Sequence, residues 1–438
     1  GNRNGTTLIV VMGLTLLGTL AATSVVQCIG SRISQTYKQV ALEQAFYLAA
    51  AGAERSATYV INGHTESATL TGTLGNGRYV STIACTAMAG GGSEIDVTSV
   101  GTADGVSRTV ILHGLRHVSW ARYALWYSSE SAKLWMAPGE KFSGRVYSGP
   151  QFHFSDQDLA TKGQVHFYDR AWSAATTVEK ASTAVSPIFD DGLILGVTAE
   201  SMSSISFSDL LSQSTTGGLV LPGATTIVLN GTTMTINNAL NGWTNRVVAI
   251  PNNGIVYVQT TTVTSTSYQN VWVSTGWRSG YWSSQPVTTS ATYPGDITVS
   301  APSGLNGRLT LVAENNINII DHVRYAANPA TDATSDDALG LIAQQDVVVK
   351  TSAPNNLSIY AHITCINGGF GVENYNTGSL RGTLTVYGGI VNSIRKAVGT
   401  IGSTGYSKNY IFDTRFEKNP PPCYPKLPDE LEWTEWDG

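Results

Sequence analysis

Residues 6–26 read TTLIVVMGLTLLGTLAATSVV, a run without a charge whose nearest charged neighbours are Arg3 before it and Arg32 after it. About 20 apolar residues suffice for a helix to cross a bilayer. A cleaved secretory signal has a shorter apolar core that ends at a small-residue cleavage site. Here the helical pattern continues past the apolar stretch instead. Arg3, on the short leading side, favours keeping that end in the cytoplasm.

Residues 35–59 extend the helix with a different face. Val40, Ala41, Gln44, Ala45, Leu48, Ala49 and Gly52 recur at three- and four-residue steps, the pattern of an amphipathic helix carrying a stripe of small residues. Proline is absent before Pro138, so nothing forces an early break. A single helix from Thr6 to Ile61 would span about 80 Å at 1.5 Å per residue. Gly13, Gly18 and the pair Ala21–Ala22 thin one face and permit close packing in an apolar medium. The residues by themselves leave two readings open: a single-pass anchor with a short stalk, or a rod that lies against other helices.

The run Gly5-Thr6-Thr7-Leu8-Ile9-Val10-Val11 resembles the start of type IV pilins, especially minor pilins and K-type pseudopilins. The segment 45–54, AFYLAAAGAE, is similar to the A-x-x-A-A-E-A-G stretch of minor pilins, with Ala51 in place of the usual Glu. The resemblance implies processing by a prepilin peptidase near Gly1 or Gly5. A start at Gly1 would fit processing before it or a shortened chain, and the cleavage point stays open. It also implies inner-membrane residence before assembly, then an extracellular filament at the cell surface. Thr6, Leu8, Ile9, Val10, Val11, Leu14, Leu16, Leu17, Leu20, Val25 and Val26 would form the assembly surface. Partners would be further copies or other pilins, together with the pilus assembly machinery. Major pilins carry a Glu five residues into the mature chain. Here the first acid is Glu43, which tilts the reading toward a tip or minor subunit, or an unusual filament.

From residue 66 to 116 the period changes from helical to alternating. Strands are expected at 69–74, 78–85, 95–100 and 107–113, separated by the turn signals Gly75-Asn76-Gly77 and Ala103-Asp104-Gly105. This is an antiparallel meander, similar to the small sheet of pilins. It needs an apolar partner, which the second half of the long helix supplies. The expected fold class is therefore α+β. It has a helix over 1–64, a sheet over 65–118, a β-rich head over 119–428 and an acidic tail over 429–438.

The head is where composition matters. Charged residues make up 13% and there are 45 glycines, against about 25% charged in ordinary soluble domains. That favours extended, secreted β structure over a cytosolic enzyme. The net charge of −5 offers no basic footprint for nucleic acid. Residues 311–319 are echoed by 341–349, and 359–363 by 386–390, with Val146-Tyr147-Ser148-Gly149 as a fainter copy. Repeats at such spacing point to stacked rungs, a β-solenoid and most naturally a parallel β-helix, with a two-sheet sandwich as the alternative. The end of the head, GYSKNYIFDTRF at 405–416 followed by Pro420-Pro421-Pro422, resembles uncharacterised bacterial surface proteins that join a pilin-like N-terminus to a β-solenoid.

Between residues 201 and 294 only Asp209, Arg246 and Arg278 are charged. This Thr/Ser-rich stretch, about 201–295, reads as an inserted β region. Trp272, Trp277, Tyr281 and Trp282 within it are candidates for glycan contact, although a small core is the commoner use of such a cluster. Of the cysteines, Cys28 lies on the apolar helix and reads as a small buried hydrophobe, while Cys365 and Cys423 are the first guess for a disulfide. The tail, with its acids and tryptophans, reads as a mobile or partner-docking arm.

No catalytic constellation emerges. G-x-S-x-G, H-E-x-x-H and phosphate-loop patterns are absent. His113 and His117 stand four apart at a strand end rather than on a helix. Asp332, Asp336 and Asp337 fit no EF-hand, and the pairs Asp156/Asp158 and Asp190/Asp191 lack a further cue. No enzyme activity, cofactor or metal is expected. The reading is a structural subunit of a type IV pilus-like filament. The alternatives are a low-copy tip pseudopilin of a pilus or type II secretion system, a pilus-borne adhesin binding glycans, and a β-helix enzyme acting on acidic polysaccharides.

Overall fold

A computed structural model describes residues 3–62, 64, 66–87, 93–202, 205–433 and 435–437. The chain divides into two units: Gly1–Met88 with Ser93–His117 and Asp429–Gly438, and Ala89–Gly92 with Val118–Pro428.

The first unit begins with α1, a 59-residue helix over Arg3–Ile61. Its apolar half carries hydroxyls that do not ask for water. Thr15, Thr19, Thr23 and Ser24 donate back to the carbonyls of Val11, Leu16, Thr19 and Leu20 at 2.8–3.0 Å, the internal satisfaction an apolar medium demands. In the second half, Ala41, Ala45, Leu48, Ala49, Ala53 and Val60 are buried, following the small-residue stripe of the sequence. They face the antiparallel strands β1 (Ala68–Leu74), β2 (Gly77–Ala87), β3 (Ser93–Ala103) and β4 (Val106–Ser119). Ile83, Ile95, Val97, Val110 and Leu112 point at the helix, as period-two alternation requires. The contact is close: a side-chain carbon at Gly101 would run into the Ala45 carbonyl and the Ala49 amide. Ser56 and Ser81 share a buried hydrogen bond of 2.7 Å across the interface. The β3–β4 turn places Asp104 and Gly105 at φ 47° and 77°, the left-handed pair of a tight hairpin turn.

The acidic tail is not a free arm. Lys426–Glu432 and Glu435–Asp437 both pair with β4, the second antiparallel with Glu435 opposite His113. Arg116 and Glu432 form an ion pair at 2.6 Å. The reason is physical: β4 would otherwise present a row of unpaired backbone groups. Acid-rich composition concealed the alternation that lets the tail cover them.

The second unit is a large mixed, mostly parallel β structure. One row of parallel strands has Leu219, Val256, Leu311, Leu341, Ile363, Ile390, Leu125, Val146, Ala171 and Leu193 as successive partners. A second row runs Ile227, Val299, Ile319, Val349 and Val372. Both rows supply the principal apolar core. The echoes in the sequence are structural partners: Leu311 pairs with Leu341, Ile319 with Val349, and Ile359 with Val386. The faint copy at Val146 is displaced, because Val146 aligns with the Ile390 position and not with Val386.

The first row is not in chain order. The early strands Tyr123–Glu130, Arg145–Ser148, Ala171–Ser173 and Leu193–Leu195 run outward from the middle. The later strands start at the opposite end with Leu219–Pro222 and return, so that Leu380–Arg395 pairs with Tyr123–Glu130. At about 4.8 Å per strand the two ends of the row lie about 40 Å apart. Between them in the chain, Val197, Met202, Ile205 and Leu210 pack on the cluster that faces away from the principal core. There Glu200 accepts hydrogen bonds from Trp126 and Trp172 Nε1, each at 2.9 Å. The same face is covered by Phe416, Tyr424 and Leu427 against Tyr257, Ile342 and Trp126. At the point of entry and exit, Trp120 N donates to the Pro425 carbonyl at 3.1 Å and Ser119 Oγ to the same oxygen at 3.1 Å.

The Thr/Ser-rich stretch 201–295 is not a separate β region. Leu219–Pro222, Thr225–Asn230 and Ile255–Gln259 belong to the parallel rows, because their apolar alternation fits those registers. The helix Phe207–Thr215 and the antiparallel excursions at 233–249 and 261–293 leave them.

Candidate functional site

Every described side chain from Thr7 to Val40 is exposed. Leu8, Ile9, Val10, Val11, Leu14, Leu16, Leu17, Leu20, Val25 and Val26 are between 51% and 71% accessible. Thr6 and Gly5 are helical, and Gly1 lies outside the described residues. A fully buried Val or Leu side chain gains roughly 1.5–3 kcal/mol over an exposed one. Ten such residues therefore make a free helix in water untenable. Apolar character surrounds the helix rather than forming one stripe, which is the signature of a segment covered on all sides. At 1.5 Å per residue the uncharged run is about 30 Å long, equal to the hydrocarbon thickness of a bilayer. Cys28 is exposed on this helix, so it is not packed within the chain.

The second surface is a long hairpin, Thr261–Gly276 and Ser279–Tyr293, whose strands pair only with each other among the described residues. Trp272 sits opposite Trp282, and their rings meet edge to face at 5.5 Å. Trp277, at the turn, is 91% exposed and carries the Arg278 guanidinium over its ring at 4.9 Å. Tyr281, opposite Val273, occupies the other face. The small-core expectation for this cluster is thus overturned, since these rings stand in the open. The sequence reading missed Tyr268, opposite Pro286 and 71% exposed, which extends the Trp272–Trp282 face. The available signal was a pair of long Thr- and Ser-rich strands whose aromatic residues fall on both faces. A strand with no dry face has no core to enter.

Cys365 and Cys423 are free thiols, and the anticipated bridge is not formed. Cys365 points into the main core from the strand Ser358–Cys365, whereas Cys423 packs on the other cluster and donates to the Asn253 carbonyl. Nearness along the chain says nothing about the side of the row a cysteine faces.

The polar pairs that invited chemistry have structural partners. His113 is within 3.5 Å of Asp96, and His117 Nε2 lies 2.9 Å from the Val60 carbonyl. Asp337 accepts from the Gly307 and Ala327 amides, and Asp332 from Thr334. Asp158 pairs with Lys162, Asp190 with His166 and Asp191 with Arg170.

No family model matches the chain, and no curated protein matches it. Among solved structures, the crystal structure of the competence-associated pilin ComZ from Thermus thermophilus aligns with 91% of this chain and 97% of that chain. The identity is 12% and the TM-score 0.32, a similarity too loose to carry an argument.

Proposed function

We propose that the chain is a structural subunit of a type IV pilus-like filament, held in the inner membrane by the first half of α1 and then transferred to a filament core. One observation carries this reading: a single helix is apolar and uncovered on all sides over its first half, yet seated by small residues on a sheet over its second. An ordinary anchor needs no continuous rod fixed to a folded domain. Trading lipid for neighbouring helices brings no large hydrophobic gain, so assembly requires a powered machinery; processing by a prepilin peptidase is what the resemblance to pilins implies. The β head, read as a β-solenoid, would form the coat or the tip. Its support is the in-register pairing of segments about 20–30 residues apart.

Sheared surface filaments viewed by electron microscopy, with N-terminal sequencing of the subunit, test the proposal. Filaments built from this chain with residues 8–26 retained support it. A mature chain lacking them, or one dispersed in the bilayer, overturns it. The Val10→Glu variant separates a repeating subunit, which would tolerate the change, from a low-copy tip pseudopilin, which would lose incorporation. A second reading, a pilus-borne adhesin, is favoured by the exposure of Trp272, Trp277, Tyr281 and Trp282. Glycan arrays probed with and without these rings decide it.

A further inference from the structure

Among the described residues, the strands Thr261–Gly276 and Ser279–Tyr293 pair only with each other. Each therefore keeps one edge whose backbone groups have no partner strand. Within the hairpin the side chains are matched: Thr262 with Thr292 and Ser265 with Thr289 share hydrogen bonds of 3.1 and 2.9 Å across the strands. A two-stranded ribbon standing in water is marginal, and a third strand is what it lacks. The first unit meets the same need by laying the acidic tail along β4. No described segment does so for this hairpin.

The two edges differ. Ser279–Tyr293 carries Pro286, opposite Tyr268, which takes a donor out of the middle of that strand. Thr261–Gly276 holds neither a proline nor a charged residue over its 16 residues. It is built mainly of Thr, Val, Tyr and Trp, which suit extended backbone. Its one irregularity lies beside the turn, between Ser274 and Gly276. The usual devices that blunt an edge, a lysine, a proline or a central bulge, are missing from it.

The absence of charge also selects the partner. Two-fold pairing of a strand with its own copy sets like charges against each other wherever the strand is charged. This strand has none, so a second copy meets no repulsion. Antiparallel pairing about Asn270 places Tyr268 opposite Trp272 of the second copy, and Trp272 opposite Tyr268 of that copy. Tyr268, Trp272 and Trp282 share one face, so this register gains two cross-strand aromatic pairs. With Pro286 on the outer strand of each hairpin, the sheet closes at four strands instead of growing further.

We propose that the free edge of Thr261–Gly276 pairs antiparallel with the same strand of a second copy, two-fold about Asn270, to form a four-stranded sheet. Two copies suffice, so this stands apart from the filament reading. Edge pairing leaves both faces open, so it stands apart from glycan binding as well.

The test is disulfide trapping of the full chain in detergent micelles, in a Cys28→Ser background. Directly opposed residues of an antiparallel pair lie about 4.5–5.5 Å apart at Cα, within disulfide range. Asn270→Cys should give a covalent dimer under mild oxidation, well above the Cys28→Ser parent. Thr266→Cys and Ser274→Cys should each give none alone but a dimer when mixed. Ser284→Cys, opposite Asn270 on the other strand, should stay monomeric. Analytical ultracentrifugation gives an independent readout: Asn270→Lys sets two ammonium groups at the axis and should weaken association several-fold, with circular dichroism as the check on folding. No dimer from Asn270→Cys, none from the Thr266→Cys and Ser274→Cys mixture, equal trapping through Ser284→Cys, or association unmoved by Asn270→Lys would each overturn the proposal.

Discussion

His362 lies fully buried among Tyr424, Phe416 and the strand that carries Gly389. The Tyr123 carbonyl, 3.2 Å from Nε2, can only accept, so Nε2 carries the proton and Nδ1 accepts from the Tyr424 hydroxyl at 2.6 Å. Burial pushes the imidazole pKa down to about 3. The folded state therefore stays neutral where the unfolded chain, near 6.5, takes up a proton. This contribution is intact above pH 6.5 and is lost as the pH falls toward 3, at up to about 1.4 kcal/mol per pH unit. Thermal melts between pH 7 and pH 4 should show that decline, and His362→Gln should flatten it. Gly101 makes a steric prediction of the same kind. Gly101→Val should unseat α1 from β3 and cost about 1–3 kcal/mol or more, seen as a lower melting midpoint for the first unit.

At the scale of elements, the apolar half of α1 and the aromatic hairpin answer to opposite rules. Leu17→Lys places a charge mid-span at about 2.5–3.5 kcal/mol, and should abolish membrane recovery and filament incorporation while leaving the head folded, as fractionation and circular dichroism will report. The hairpin rings contact no core, so Trp277→Ser should shift stability by no more than about 0.5 kcal/mol, whereas Trp282→Ser also loses the edge-to-face contact with Trp272 and should cost about 0.5–1.5 kcal/mol, measured by denaturant titration. The elements of the first unit were legible because each has one period and one burial face: α1 from its small-residue stripe, β1 to β4 from alternation cut by Gly-bearing turns. The echoes of Leu311 in Leu341 and of Ile359 in Val386 were legible for a similar reason, since stacked partners share one environment. The tail hid behind its acids. The hairpin aromatics were misjudged because composition does not reveal whether a strand has a layer above it, and the cysteines because register decides which face a thiol meets.

At the scale of the whole molecule, the order of strands in the second unit governs cooperativity. In an array laid down from one end to the other, units at an end can be lost singly. Here Leu380–Arg395 closes against Tyr123–Glu130 in the middle of the row. Removing residues 380–428 should therefore expose both halves and collapse the unit, rather than shorten it by a rung. Limited proteolysis of the truncated chain is expected to yield no resistant fragment covering 123–372.

That arrangement also determines how the second unit meets tension. The backbone enters at Ser119–Trp120 and leaves at Pro425, and those points are bonded to each other. A pull through the two ends is borne first by the pairing of Lys426–Glu432 with β4 and then by this clasp and the tyrosine and phenylalanine anchors beside it. The strands beyond, out to Leu193 and to Leu219, lie off that line of stress and should stay folded until the clasp gives way. Such a junction would act as a mechanical fuse.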